Sequence, residues 1–189
     1  MSETAKLQKN IGAYAEYYHR YVSLVPEGDV VSVLSEQIDL TVMRLRSIPE
    51  DAGDYRYGDD KWTVKELIGH LVDTERVMAA RALAFARGDK SEYPGMDQDE
   101  YVLAGEFAAR SLNSLISELE CLRRANVLLF EGLSSEAWKR EGVASENKVS
   151  VNALARIIAG HELYHMAIFK ERYLPGLVKT GKVNAEKWV

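Results

Sequence analysis

The sequence predicts an all-α fold: a four-helix bundle with a long crossover between its second and third helices, preceded by an N-terminal aromatic arm or short helix. Two observations carry this. Four long stretches place apolar residues at steps of three and four, the spacing that gathers them on one face of a helix. No segment sustains the alternation of apolar and polar residues that a half-buried strand needs, so no strands are expected. A chain of 189 residues without a shift in composition reads as one domain.

Residues 1–28 are assigned to the arm. Within it, residues 5–22 carry Tyr14, Tyr17, Tyr18, His19 and Tyr21 in a helix-compatible stretch expected to lie over the main body. The bundle proper is assigned to residues 29–175. Asp29 can cap a first long helix, whose stripe Val30, Leu34, Ile38, Thr41 and Leu45 is the predicted buried face, and Pro49 closes it. Thr63 with Glu66 is a capping box, so the second helix starts at Val64 and runs to about Arg87, with Gly88 as its natural stop. The link GDKSEYPGMDQDEYVLAGE holds Pro94 and Gly95 and is long enough to cross the bundle.

The third helix is expected over about 107–131, with Leu112, Leu115, Leu119, Leu122 and Leu129 on one face and Gly132 ending it. A short turn at Ser135–Arg140 carries Trp138, and a polar loop then reaches Ser150, which caps a fourth helix over 151–173. Pro175 and Gly176 are expected to end that helix and leave residues 176–189 as a tail.

Composition excludes several classes of function. Hydrophobic residues make up 47% and charged residues 28%, the balance of a globular protein. No apolar run approaches a bilayer span, so no membrane partner is expected. A net charge of −5 with scattered Lys and Arg leaves no footprint for nucleic acid. The start MSETAKLQKN lacks the apolar core of a secretory signal, and one cysteine, Cys121, cannot form an internal disulfide, which together point to the cytoplasm.

Histidines carry the chemistry. On the fourth helix Leu154, Ile158, His161, His165 and Ile168 follow steps of four and three, so both imidazoles share the core-facing stripe. On the second helix Leu67, His70, Thr74 and Val77 form a comparable stripe. His70 and His161 each follow a glycine, Gly69 and Gly160, inside a helix where glycine costs about 1 kcal/mol relative to alanine, which implies a need for space or close approach. Two imidazoles four residues apart can face one cation, and a third from a facing helix completes a three-histidine set with a position left for water or substrate. A lone core histidine is usually a hydrogen-bonded packing residue, but three on neighbouring helices point to a divalent metal bound by His70, His161 and His165. His19, in the tyrosine-rich arm, is read as structural or exposed.

HELYH also satisfies the zinc-protease motif HExxH, with Glu162 as general base. That class needs a third ligand, for which Glu186 has suitable spacing, and an edge strand to hold a peptide, which the sequence does not show. The stretches KWTVKELIGHLVDTERVMAARALAFARGD, PGMDQDEY and SVNALARIIAGHELYHMAIFKERYLPG instead closely resemble the DinB-like (YfiT-like) family of metalloenzymes, over about residues 29–175. The family's pattern, a tryptophan-led helix with one histidine and a last helix bearing HxxxH, falls on His70 and on His161 with His165. The resemblance implies a four-helix bundle with an unusual connection between the second and third helices, a divalent metal such as nickel or zinc, and often a homodimer. Many members of this subgroup carry a further histidine where this chain has Tyr164.

Three functions follow as expectations, each on a small-molecule substrate or ligand. The first is a metal-dependent hydrolase, since three neutral imidazoles on a cation bring the pKa of bound water from near 16 to about 7. Here Glu162 and Asp73 are the candidate catalytic carboxylates by spacing. Glu162 alternatively hydrogen-bonds a ligand histidine, and Asp73 alternatively is a solvated helix charge. The second, also implied by the resemblance, is a transferase using glutathione, mycothiol or bacillithiol, with an external thiolate at the open position. The third is a metal-binding protein without turnover. Arg81, three turns from His70 on the same stripe, could bind an anionic substrate or pair with a core glutamate, and Cys121 is read as a packed structural thiol.

Overall fold

The computed structural model describes residues 11–188. Residues 1–10 of the predicted arm and Val189 of the predicted tail lie outside the described residues. The helices, in chain order, are α1 (His19–Val22), α2 (Val30–Leu45), α3 (Val64–Ala86), α4 (Gln98–Ala104), α5 (Leu112–Glu131), α6 (Ser135–Lys139), α7 (Val151–Ile168) and α8 (Leu174–Lys179). The long helices α2, α3, α5 and α7 are those the periodicity predicts. Both α2 and α3 pack against α5 and against α7. The short α1 lies on α7.

Helix starts follow the caps. Asp29 accepts a hydrogen bond from the Val31 amide, and Ser150 from the Ala153 amide. Thr63 and Glu66 complete their box, with the Glu66 amide donating to Thr63 Oγ1 and the Thr63 amide to the Glu66 carboxylate. All five residues of the α2 stripe, Val30 to Leu45, are buried.

Four expectations need correction. Strands are present: β1 (Glu92–Tyr93), β2 (Glu141–Ala144) and β3 (Asn147–Ser150) form a small sheet in which β1 runs parallel and β3 antiparallel to β2. The polar loop before Ser150 is thus a hairpin, closed by Ser145 and Glu146 at φ 51° and 63°. Strands of two to four residues are too short to show alternation. Second, α5 starts at Leu112, capped by Ser111, and Phe107–Ala109 is a separate turn.

Third, the inner face of α5 is rotated from the predicted one in its second half. Leu122 and Leu129 are half-buried, and Arg123, Asn126, Val127 and Phe130 face inward. Cys121 consequently points outward as an exposed free thiol instead of packing in the core. Fourth, Pro175 does not end the last helix. A π-helical turn at Phe169–Tyr173 precedes α8, and Pro175 sits in the first turn of α8, where an amide proton has no helical acceptor to lose. Trp188 from the tail is buried, its ring stacked on Phe169 with centroids 4.7 Å apart.

The apolar core is divided. One cluster gathers residues such as Leu34, Phe85, Phe130 and Ile158, and the other Ile38, Leu71, Leu119 and Phe169. Between them, along the middle of the four helices, lie the buried polar side chains of Thr41, His70, Glu75, Arg123, Glu162 and His165.

Candidate metal centre

His70 enters the polar layer from α3, and His161 and His165 enter it from α7. All three are buried, and one ligand-capable atom from each lies within 4.8 Å of the others. His70 Nε2 is 3.0 Å from His161 Nε2. Two nitrogens about 2.1 Å from a shared ion, at angles between right and tetrahedral, stand about 3.0–3.4 Å apart, so this spacing fits joint ligation. Ring centroids are 4.8 Å apart for His70 and His161, 4.9 Å for His70 and His165, and 4.5 Å for His161 and His165. His70 Nδ1 faces Thr74 Oγ1 at 3.5 Å, an arrangement that turns Nε2 toward the other two rings. The buried Nδ1 of His165 has no hydrogen-bond partner among the described residues.

Both glycines flagged by the sequence have a reason. A Cβ on Gly160 would overlap the Tyr21 backbone, so glycine there lets α1 sit directly on α7 beside His161. Gly69 accepts the ring of Phe107 in the same way. The site walls are aromatic. Trp62 packs on His70 with centroids 4.8 Å apart, Tyr21 meets His161 edge-on at 5.2 Å, and Tyr164 meets His165 edge-on at 5.3 Å.

Burial keeps the three rings neutral near pH 7. It lowers His70 to about 4. For His165 burial, followed by the neighbouring His70, lowers the value to about 3. His161 is pushed well below 6.5 by burial first, then by His165, His70 and Arg123. A cation ligand must present a lone pair, and neutral imidazole does so without first losing a proton.

Glu162 is buried, but both of its oxygens are engaged away from the histidines. Thr41 Oγ1 donates to Oε1 at 2.5 Å, and Arg123 Nη2 lies 2.6 Å from Oε2. Arg123 also holds Glu75 through Nε at 2.8 Å and Nη2 at 2.9 Å, and Asn126 donates to Glu75 at 3.1 Å. Burial alone would depress the Arg123 guanidinium, but the Glu162 and Glu75 carboxylates reverse this and raise it. Arg123 and Asn126 continue the step of Leu115 and Leu119 by four and three, the one signal that could have placed them inside.

The remaining candidates are dispersed. The charged neighbours of Asp73 are Glu118, Arg76 and Arg110, and burial followed by Glu118 raises its carboxyl. Glu186 is exposed and bonds Asn184 in the tail, so the third group beside His161 and His165 is His70, not Glu186. His19 is exposed, with Nδ1 3.3 Å from Tyr14 Oη. Arg81 is buried and lines a cavity of about 190 Å³ together with His70 and His161. A second cavity, of about 350 Å³, is lined by Trp62, His165 and Tyr173. Gln98 of α4 borders both.

Residues 34–169 match the family model of the DinB superfamily. The chain belongs to the DinB superfamily. Among solved structures, this DinB-superfamily chain is similar to YfiT from Bacillus subtilis, a probable metal-dependent hydrolase with an unusual four-helix bundle topology. That likeness has a TM-score of 0.69 at 16% identity and covers 80% of this chain and 86% of YfiT. Two structures of a mycothiol-dependent maleylpyruvate isomerase, one of them a mutant, match at TM-scores of 0.57 and 0.55, each at 12% identity. The match covers 69% and 68% of this chain, and only 55% and 56% of the isomerase. These likenesses are of fold. A search of curated proteins finds no match to the sequence. No described helix is long and apolar enough to cross a membrane.

Proposed function

We propose that this protein is a metal-dependent hydrolase of a small molecule, in which His70, His161 and His165 hold one divalent ion, nickel or zinc. The observation that carries the reading is the convergence of three buried, neutral imidazoles from α3 and α7 within 4.8 Å. Three protein ligands leave a coordination position for water or substrate. A bound divalent ion supplies Lewis acidity, bringing the ionisation of water toward neutral pH and polarising a carbonyl or similar group.

The chain's own residues do the rest. Thr74 orients His70, and the aromatic walls from Trp62, Tyr21 and Tyr164 limit access of bulk water. Glu162 is a positioning residue in this reading. Anchored to Thr41 and Arg123, it fixes the turn of α7 that presents His161.

A second reading has one specific support, the likeness of fold to the mycothiol-dependent isomerase. In it the open position takes the sulfur of a small external thiol. Metal-loaded protein, assayed on a panel of esters and amides with and without added thiol, separates the two. Turnover without thiol that disappears in His70→Ala supports the hydrolase. Strict thiol dependence moves the assignment to the transferase, and neither activity in a metal-loaded protein would leave a metal-binding role. The homodimer implied by the family resemblance is checked by light scattering.

A further inference from the structure

Three arginines are buried among the described residues, Arg81, Arg123 and Arg156, and the surroundings of the first two differ. Arg123 has two carboxylates in contact. Arg81, 4% exposed, donates to the Pro94 carbonyl at 2.6 Å and faces Met78 Sδ at 3.6 Å. Among the described residues no carboxylate lies within ion-pair distance of it. A buried cation without a counter-charge is costly unless an anion reaches it, and a guanidinium forks naturally onto a carboxylate or phosphate.

The place where Arg81 sits gives that anion an address. Its side chain lines the cavity of about 190 Å³ that also reaches His70 and His161, and no Asp or Glu lines this cavity. Tyr17, Tyr18, Tyr21 and Met96 supply a largely aromatic wall for a carbon body. The Pro94 carbonyl that holds Arg81 belongs to the link between α3 and α5, so the long connection serves to aim the guanidinium. On the helix the Cα atoms of His70 and Arg81 are about 16 Å apart, and helical side chains lean toward the N-terminus, which brings the guanidinium back toward the histidines. The volume is below the roughly 300–1,000 Å³ of sites for drug-sized ligands, so the occupant is small.

We propose that this cavity selects a small substrate bearing a carboxylate or phosphate, with the anionic group on Arg81 and the group to be cleaved at the three histidines. The proposal rests on the metal-centre reading for its reacting end and on Arg81 alone for its anionic end.

The test uses the nickel-loaded protein and three hydroxamates, which chelate metal, joined by spacers of two to five methylenes to a carboxylate, a phosphonate or a neutral carboxamide. Calorimetry is expected to show one anionic compound binding at least about tenfold more tightly than the carboxamide of equal length. Arg81→Gln should erase this preference while leaving metal content and carboxamide affinity unchanged, and Arg81→Lys should keep part of it. Equal affinities in the wild type, or a preference that survives Arg81→Gln, would overturn the proposal. The carboxylate and phosphonate arms tell the two anions apart. If no hydroxamate binds, the metal reading fails separately, and the anion site is decided on metal-free protein titrated with benzoate and inorganic phosphate. There a saturable shift of the Arg81 Nε proton supports the site, and an unmoved signal overturns it.

Discussion

The polar layer holds two clusters that share α3 and α7, and they differ in what their side chains face. In the network of Glu75, Arg123, Glu162, Thr41 and Asn126, charges face opposite charges and the donors find acceptors within the chain. In the trio of His70, His161 and His165, nitrogens face nitrogens, and His165 Nδ1 has no hydrogen-bond partner among the described residues. The first cluster is closed by ion pairing, with Glu162 Oε2 meeting Arg123 as a charge contact that is not a hydrogen bond, and it ties the four long helices together. The second brings three buried imidazoles close enough together to share a divalent ion.

Breaking the closed cluster should have the largest effect on stability. Arg123→Met leaves two buried carboxylates without their partner, and a loss of about 3–5 kcal/mol is expected in denaturant unfolding. Thr41→Val removes only a hydroxyl donor from Glu162 and should cost about 1–3 kcal/mol.

The histidine trio should show itself through pH. In the unfolded chain these rings titrate near 6.5, whereas in the folded protein His70 does so at about 4 and His165 at about 3. Between these values the unfolded chain binds more protons, so metal-free protein loses stability as the pH falls below 6.5. For His70 alone the full loss is on the order of 3 kcal/mol, at about 1.4 kcal/mol per unit. Thermal melting from pH 7 to pH 4 checks this, and a divalent ion should move the onset to lower pH because protons and metal compete for the same lone pairs.

Next in size, Gly160→Ala pushes the Tyr21 backbone off α7 and should cost about 1–3 kcal/mol, with altered tyrosine near-ultraviolet dichroism. Asp73→Asn should be smallest, within about 0.5 kcal/mol and without effect on metal affinity, because its surroundings are Glu118, Arg76 and Arg110 rather than the histidines.

Much of this was readable in advance, for physical reasons. Long helices advertise themselves by repeating their buried face, and Asp29, Thr63 and Ser150 cap where side-chain chemistry says they can. His70, His161 and His165 stood out because three imidazoles on inward stripes are hard to satisfy by packing. Polar residues that satisfy one another were harder to read. Arg123 looks like a surface residue until Glu75 and Glu162 arrive from other helices, and that misjudgement rotated the predicted face of α5 and buried Cys121 wrongly. The hairpin was hidden because its strands are too short to alternate, and β1 because Glu92 pairs with Val143 across the long crossover, a contact no local pattern encodes. Pro175 misled because it sits in the first turn of α8, where its missing amide proton costs no helical hydrogen bond.

X-ray absorption on nickel- or zinc-loaded protein, with metal content measured in parallel on His161→Ala, tests the histidine trio most directly. One ion per chain, three imidazole nitrogens and at least one non-protein ligand are expected in the wild type, and loss of stoichiometric metal in the variant. A wild-type spectrum without three imidazoles, or a full equivalent of metal retained by His161→Ala, would contradict it.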